Sequence, residues 1–201
     1  NQGLDVRGPG SLTLSGGVTS AANQGLSLNL QTTVDTNPID LNDGTLSITS
    51  NGNNLATATQ LNVAGNDYGL LRINFGGYLV TGAAHVLDAD EPVEFGWVDP
   101  GQHGGHLDLN GNDQTVASIA TRTTALGELG GANDAQTITG GGTLTVNQAT
   151  NTEFEGIVSD GATATELVKS GAGTLTLSGN STHTGGPTAN GGVLELAGGT
   201  Q

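Results

Sequence analysis

The sequence predicts an all-β protein, a parallel β-helix or β-solenoid in which short strands stack coil on coil, with an irregular loop insertion. Three observations carry that prediction. Short segments alternate polar and apolar residues, as in Thr174-Leu175-Thr176-Leu177 and Val193-Leu194-Glu195-Leu196, and a period of two puts one face inside and the other outside. Glycine supplies the corners. The chain has 35 glycines but only 5 prolines and no Gly-x-y triplet period, which excludes collagen. Hydrophobic residues make up 34% and aromatics only 3%. The apolar side chains are small and branched, suited to ladders between strands and poor material for the core of a sandwich.

Taken in order, the opening residues Gly8-Pro9-Gly10-Ser11-Leu12-Thr13-Leu14-Ser15-Gly16 give a first loose copy of a glycine-bounded strand. Leu26-Ser27-Leu28-Asn29-Leu30 and Gly44-Thr45-Leu46-Ser47-Ile48 follow, and 50–60 reads as turn and loop. A second repeat type pairs Leu61-Asn62-Val63-Ala64-Gly65-Asn66-Asp67 with Leu107-Asp108-Leu109-Asn110-Gly111-Asn112-Asp113. Each is a strand closed by a Gly-Asn-Asp turn, because Asn and Asp tolerate left-handed backbone and bond their own chain.

Residues 74–106 break the rhythm and read as an insertion on the solenoid's side, with strands near 78–80 and 93–98. From 121 onward the rhythm returns in Thr143-Leu144-Thr145-Val146, Phe154-Glu155-Gly156-Ile157-Val158 and Leu167-Val168. The stretch Lys169–Leu196 reads as one coil of two strands, neither able to bury its apolar face alone. Residues 1–201 are therefore read as a single solenoid domain interrupted at about 74–106. Ten or so coils make a rod of about 45–50 Å.

Charge excludes some partners. Four Lys and Arg stand against 19 Asp and Glu, a net charge of −15. Nucleic acid and anionic lipid both need clustered cations, so neither is expected. The acidity reads as solubility and self-repulsion, with divalent-cation binding as the alternative. No segment has the length of a membrane helix, so direct membrane insertion of this segment is not expected. There is no Cys and no Met. Asn1 is thus read as the start of a piece of a longer chain, and the missing Cys fits export.

Candidate chemistry concentrates in 74–106. His103 and His106, three apart, with Asp99 or His85 beside them, are the candidate Zn ligands, although two glycines between them place them in a loop. The Gly-Asn-Asp turns invite a Ca reading, but turn chemistry accounts for them. No cofactor is expected. The carboxylates Asp88, Asp90, Glu91, Glu94 and Asp99 offer material for a glycan-cleaving pair. No Cys nucleophile, no Gly-x-Ser-x-Gly elbow and no helix-opening phosphate loop is present, so catalytic residues are set at none. Trp97, Phe95 and Tyr78 are the candidate contact residues, as a sugar-stacking platform or a protein anchor; the competing reading is a small satellite core.

The segments Leu167-Val168-Lys169-Ser170-Gly171-Ala172-Gly173-Thr174-Leu175-Thr176-Leu177-Ser178-Gly179, then Ser181-Thr182-His183-Thr184-Gly185, then Gly191-Gly192-Val193-Leu194-Glu195-Leu196 resemble the passenger-associated strand repeats of bacterial autotransporter (type V secreted) proteins. The family pattern usually has Tyr where His183 stands. The resemblance extends well over 107–198, loosely over 1–50, and not over 74–106. It implies a right-handed parallel β-helix, exported to the cell surface or beyond. It does not imply an activity, since such passengers include adhesins, stalks and carriers of separate enzymes.

The expected function is a non-catalytic, extracellular structural or adhesive solenoid segment. Its expected partners are other copies stacked end to end, since an open solenoid end exposes strand edges, and surface glycans or a host protein. The alternative is a glycan-binding or glycan-cleaving module centred on 74–106.

Overall fold

A computed structural model describes residues 12–13, 18–19, 26–29, 32–34, 39–41, 44–49, 59–74, 76–96, 104–122 and 136–198. Every regular element among them is a β-strand, and every strand pairing is parallel. The chain winds as a β-solenoid, so the predicted fold class holds.

Two or three described strands recur in each coil. The first coil carries β1 (Leu12–Thr13), β2 (Val18–Thr19) and β3 (Leu26–Asn29). The second carries β4 (Thr32–Val34), β5 (Ile39–Asp40) and β6 (Thr45–Thr49). The next two hold β7 (Thr59–Leu61) and β8 (Leu70–Ile73), then β9 (Gly77–Thr81) and β10 (Pro92–Phe95). Then come β11 (Gly105–Asp108), β12 (Gln114–Val116) and β13 (Ser118–Thr121), followed by β14 (Gln136–Thr139), β15 (Gly142–Asn147) and β16 (Thr152–Phe154). The last described coils hold β17 (Ile157–Val158), β18 (Thr165–Ser170) and β19 (Thr174–Leu177), then β20 (Pro187–Ala189) and β21 (Val193–Leu196).

The first strand of each coil builds a seven-stranded sheet, β1-β4-β7-β9-β11-β14-β17. The third strands build a five-stranded sheet from β3 to β13 and a three-stranded one from β16 to β21. These two are joined where Thr152 Oγ1 donates to the Ile119 carbonyl (2.6 Å) and Glu155 N–H to Thr121 Oγ1 (3.0 Å). The second strands form β2-β5 and β12-β15-β18-β20.

The eight described coils span roughly 34 Å at ~4.8 Å per rung, shorter than the ten-coil rod the sequence suggested. The coils are longer than that estimate assumed. Thr176 sits over Glu195, 19 residues on, and His106 over Thr137, 31 residues on. Loops at the corners absorb the difference, which is why no fixed period is visible.

Two expectations change at this level. Lys169–Leu196 is not one coil: β19 and β21 pair in register as the same wall of successive coils, with Leu175 beside Leu194 and Leu177 beside Leu196. The third strand between them, β20, has no apolar alternation to betray it. Residues 74–106, expected as an insertion, supply β9, β10 and the start of β11, each paired to the coils before and after. What departs from the rhythm is the loop 82–91, which stands where neighbouring coils place a second strand.

That loop is held by side chains. Asn66 is buried; its Nδ2 donates to the carbonyls of Val63 (2.8 Å) and Val86 (2.6 Å), and its Oδ1 accepts from Ile39 N–H (2.8 Å). From the following coil, Gln114 Oε1 accepts from the N–H groups of Val86 (3.0 Å) and Leu87 (3.1 Å), and its Nε2 donates to Ala83 O (2.8 Å). Tyr68 Oη accepts from Asp88 N–H (2.9 Å). Buried amides thus replace the ladder bonds that a strand would have made, and burial without them would cost the loop its desolvation energy.

The interior is a set of ladders. Leu46, Leu71, Val93 and Ile119 stand in register, as do Leu79, Leu107, Ile138 and Val158, all fully buried. Each such side chain contributes about 1.5–3 kcal/mol by leaving water. The first residue of β11 must be glycine for packing reasons: a Cβ on Gly105 would lie 2.2 Å from the Ile73 carbonyl oxygen of the preceding coil.

Candidate functional site

The outward face of the seven-stranded sheet carries a groove among the described residues. Alternation sends Leu79, Leu107 and Ile138 inward and leaves their neighbours outside. Tyr78 of β9, His106 of β11 and Thr137 of β14 therefore form one outer column in direct register, with Val80, Asp108 and Thr139 in the next. Tyr78, His106, Thr137 and Thr139 line a groove of about 320 Å³.

Each polar group is held. Tyr78 Oη donates to Asp108 Oδ2 at 2.8 Å, and Asp108 Oδ1 accepts from Asn110 N–H at 2.8 Å. Tyr78 meets the His106 ring edge to face, with centroids 6.0 Å apart. His106 Nδ1 lies 2.8 Å from Thr137 Oγ1. Thr139 Oγ1 donates to Asp160 O at 2.9 Å. Burial pushes the Tyr78 phenol up to about 12, helped by its bond to Asp108 and the charge there. Burial also pulls the His106 imidazole below its ordinary pKa. At neutral pH the column thus presents a phenol, a neutral imidazole and hydroxyls beside one carboxylate. His106 is only 8% exposed, and its Nε2 is closed off with no partner.

The residues singled out from sequence separate. Trp97, Asp99 and His103 lie outside the described residues. Tyr78 and His106 come together, although the sequence offered them for different tasks. Phe95 does not join them: it points into the core, fully buried, and packs on Phe154 with ring centroids 5.1 Å apart. The parity of β10 decides this, since Val93 and Phe95 share the inner face. His85 sits in the 82–91 loop with left-handed backbone (φ 55°), its N–H on the Asp113 carbonyl at 3.0 Å. Among the described residues no three His, Asp or Glu side chains converge as a metal would require.

Within the acidic run, Glu94 is committed. Arg72 Nη2 stands 2.8 Å and Arg122 Nη1 3.8 Å from Glu94 Oε2. Neither arginine is near in sequence, but parallel register places Arg72 directly beside Glu94.

The sequence reading passed over Lys169. The inner column Val116, Val146, Lys169 runs on to Ala189 of the last described coil, and its lysine is fully buried. Its Nζ donates to the carbonyls of Ser170 (2.6 Å), Gly171 (3.0 Å) and Gly191 (3.2 Å). All three ammonium protons thus have acceptors, and two glycine turns on successive coils are tied together. Gly171, at φ 78°, belongs to the first of these turns, and a Cβ there would lie 2.4 Å from Gln148 O.

This lysine, the turns it joins and the strands β18 to β21 coincide with the stretch that decides the family resemblance. Residues 167–196 match the family model of the passenger-associated-transport-repeat. The passenger-associated transport repeat is typical of autotransporter passenger domains. In this chain the repeat begins inside β18 and ends with β21, so it covers one full circuit of the solenoid plus the rung that follows. No curated protein and no solved structure matches the chain.

Proposed function

We propose that the chain is a non-catalytic structural segment of an exported, surface-displayed passenger, whose last described rung is covered by a further coil, either of the same longer chain or of another copy stacked head to tail. The repeat supports the passenger assignment. The stacking rests on one observation. Leu175 and Leu177 are fully buried, whereas their register partners Leu194 and Leu196 are not; Leu196 is 42% exposed, and Val193 beside them 53%. Among the described residues nothing covers Leu196, and the outer hydrogen-bonding edge of this rung pairs with no described strand. Such an edge favours the addition of another strand.

Sedimentation and electron microscopy across a wide concentration range test this. End-to-end rods are expected, and replacing Leu196 and Val193 by Asp is expected to abolish them. Monomers at every concentration would remove head-to-tail stacking from the proposal.

A further inference from the structure

The groove on the seven-stranded sheet is independent of the C-terminal rung and goes beyond the structural role. The geometry points to a binding site for one neutral sugar ring in the groove lined by Tyr78, His106, Thr137 and Thr139, with Asp108 beside it on the Tyr78 hydroxyl.

The argument begins with size. About 320 Å³ lies at the small end of ligand sites, roughly 300–1,000 Å³. That suits a single ring and not a peptide segment. The second step is the balance of donors and acceptors. The Tyr78 hydroxyl proton is spent on Asp108, and the Thr139 proton on the Asp160 carbonyl. Asp108 accepts once at each oxygen, and a carboxylate offers about four lone-pair sites. The free capacity beside the groove is therefore mostly acceptor capacity: two carboxylate lone pairs and hydroxyl oxygens. A ligand that fits must bring several O–H or N–H donors at close spacing, as vicinal sugar hydroxyls do.

Charge sets the third condition. Asp108 stands beside the groove on the Tyr78 hydroxyl, and the whole chain carries −15, so an anionic ligand is disfavoured. The fourth condition is apolar. Tyr78 and His106 meet edge to face and are fixed by their hydroxyl and Nδ1 bonds. They offer a rigid aromatic surface for the C–H face of a pyranose at little entropic cost. Rigidity comes from below as well: the backbone under the site is three rungs of parallel sheet over the Leu79, Leu107 and Ile138 ladder.

Nuclear magnetic resonance on the labelled chain tests the proposal, with glucose, galactose and N-acetylglucosamine as neutral probes and glucuronate as the anionic one. Saturable shifts of the Tyr78 ring, the His106 imidazole and the Thr137 and Thr139 methyls are expected with at least one neutral probe. Glucuronate should leave these signals in place. Tyr78→Ala is expected to weaken binding about tenfold, through loss of the ring, and Tyr78→Phe to weaken it less. Unchanged Leu107 and Ile138 methyl signals show that each variant is folded. Absence of shifts with every neutral probe would overturn the site. Equal shifts with glucuronate, or equal affinity of Tyr78→Ala, would overturn the assigned ligand class. None of these outcomes bears on rod formation.

Discussion

The ammonium of Lys169 donates to the carbonyl oxygen of Gly191 at 3.2 Å, joining one coil of the solenoid to the next from inside. The same group closes its own turn through Ser170 and Gly171. An apolar column thus carries a cation whose three protons are all used, within the segment that matches the passenger-associated repeat.

Replacing Lys169 by Met keeps the length and removes the donors. The stability of the chain is expected to fall by about 2–3 kcal/mol, the scale of a hydrogen bond to a charged group. Urea denaturation measures the loss. Limited proteolysis should show cleavage beginning in the 187–198 region, because that coil loses its inner tie. An unchanged midpoint would show that the carbonyls are equally well served by water.

Asn66 predicts a different failure. Asn66→Ala leaves Ile39 N–H and Val86 O without the partner they now have, at a cost of about 2–3 kcal/mol. Asn112 occupies the corresponding place in the other Gly-Asn-Asp turn, but it is only half-buried. Asn112→Ala is expected to cost well under half as much. Hydrogen exchange at Val86 and Leu87 reports the loop directly, and should accelerate in Asn66→Ala while the amides of β15 stay protected.

Acid should weaken the protein in two separate windows. Burial lowers the pKa of both His106 and His183 from 6.5. A neighbouring Asp160 charge pulls His183 the other way but does not reverse it. Between 6.5 and the lowered values the unfolded chain binds more protons than the folded one, so stability is full above about pH 6.5 and declines as the pH falls. Asp160 is lowered from 3.8 by the N–H of Thr165 and then by Thr184, so its contribution is present above that value and is lost as the pH falls further. Melting temperatures from pH 8 to 3 should show both steps. His183→Tyr, the residue the repeat pattern usually places there, should reduce the first step and leave the second.

Legibility followed locality. The alternation in β15, β19 and β21 was visible because each strand carries its own inside and outside. The short second strands β5 and β20 were not visible, since two or three residues cannot display a period. The column Tyr78–His106–Thr137 was out of reach for another reason: its members are about thirty residues apart and meet only through register. The same holds for Arg72 beside Glu94. Phe95 could be read from sequence as a surface contact or as core, and only strand parity, which turns the ring inward, decides between them.

Composition and pattern alone therefore established a stacked all-β chain, glycine corners and a strongly acidic surface, because these depend on residue type and nearest neighbours. Which strands lie on one wall, what fastens the 82–91 loop, where the buried lysine sends its protons and which side chains share a groove depended on how far each corner loop advances the chain. That advance runs from 19 to 31 residues per coil. Parallel register converts it into contacts, and a shift of one residue would have turned every one of those side chains to the opposite face.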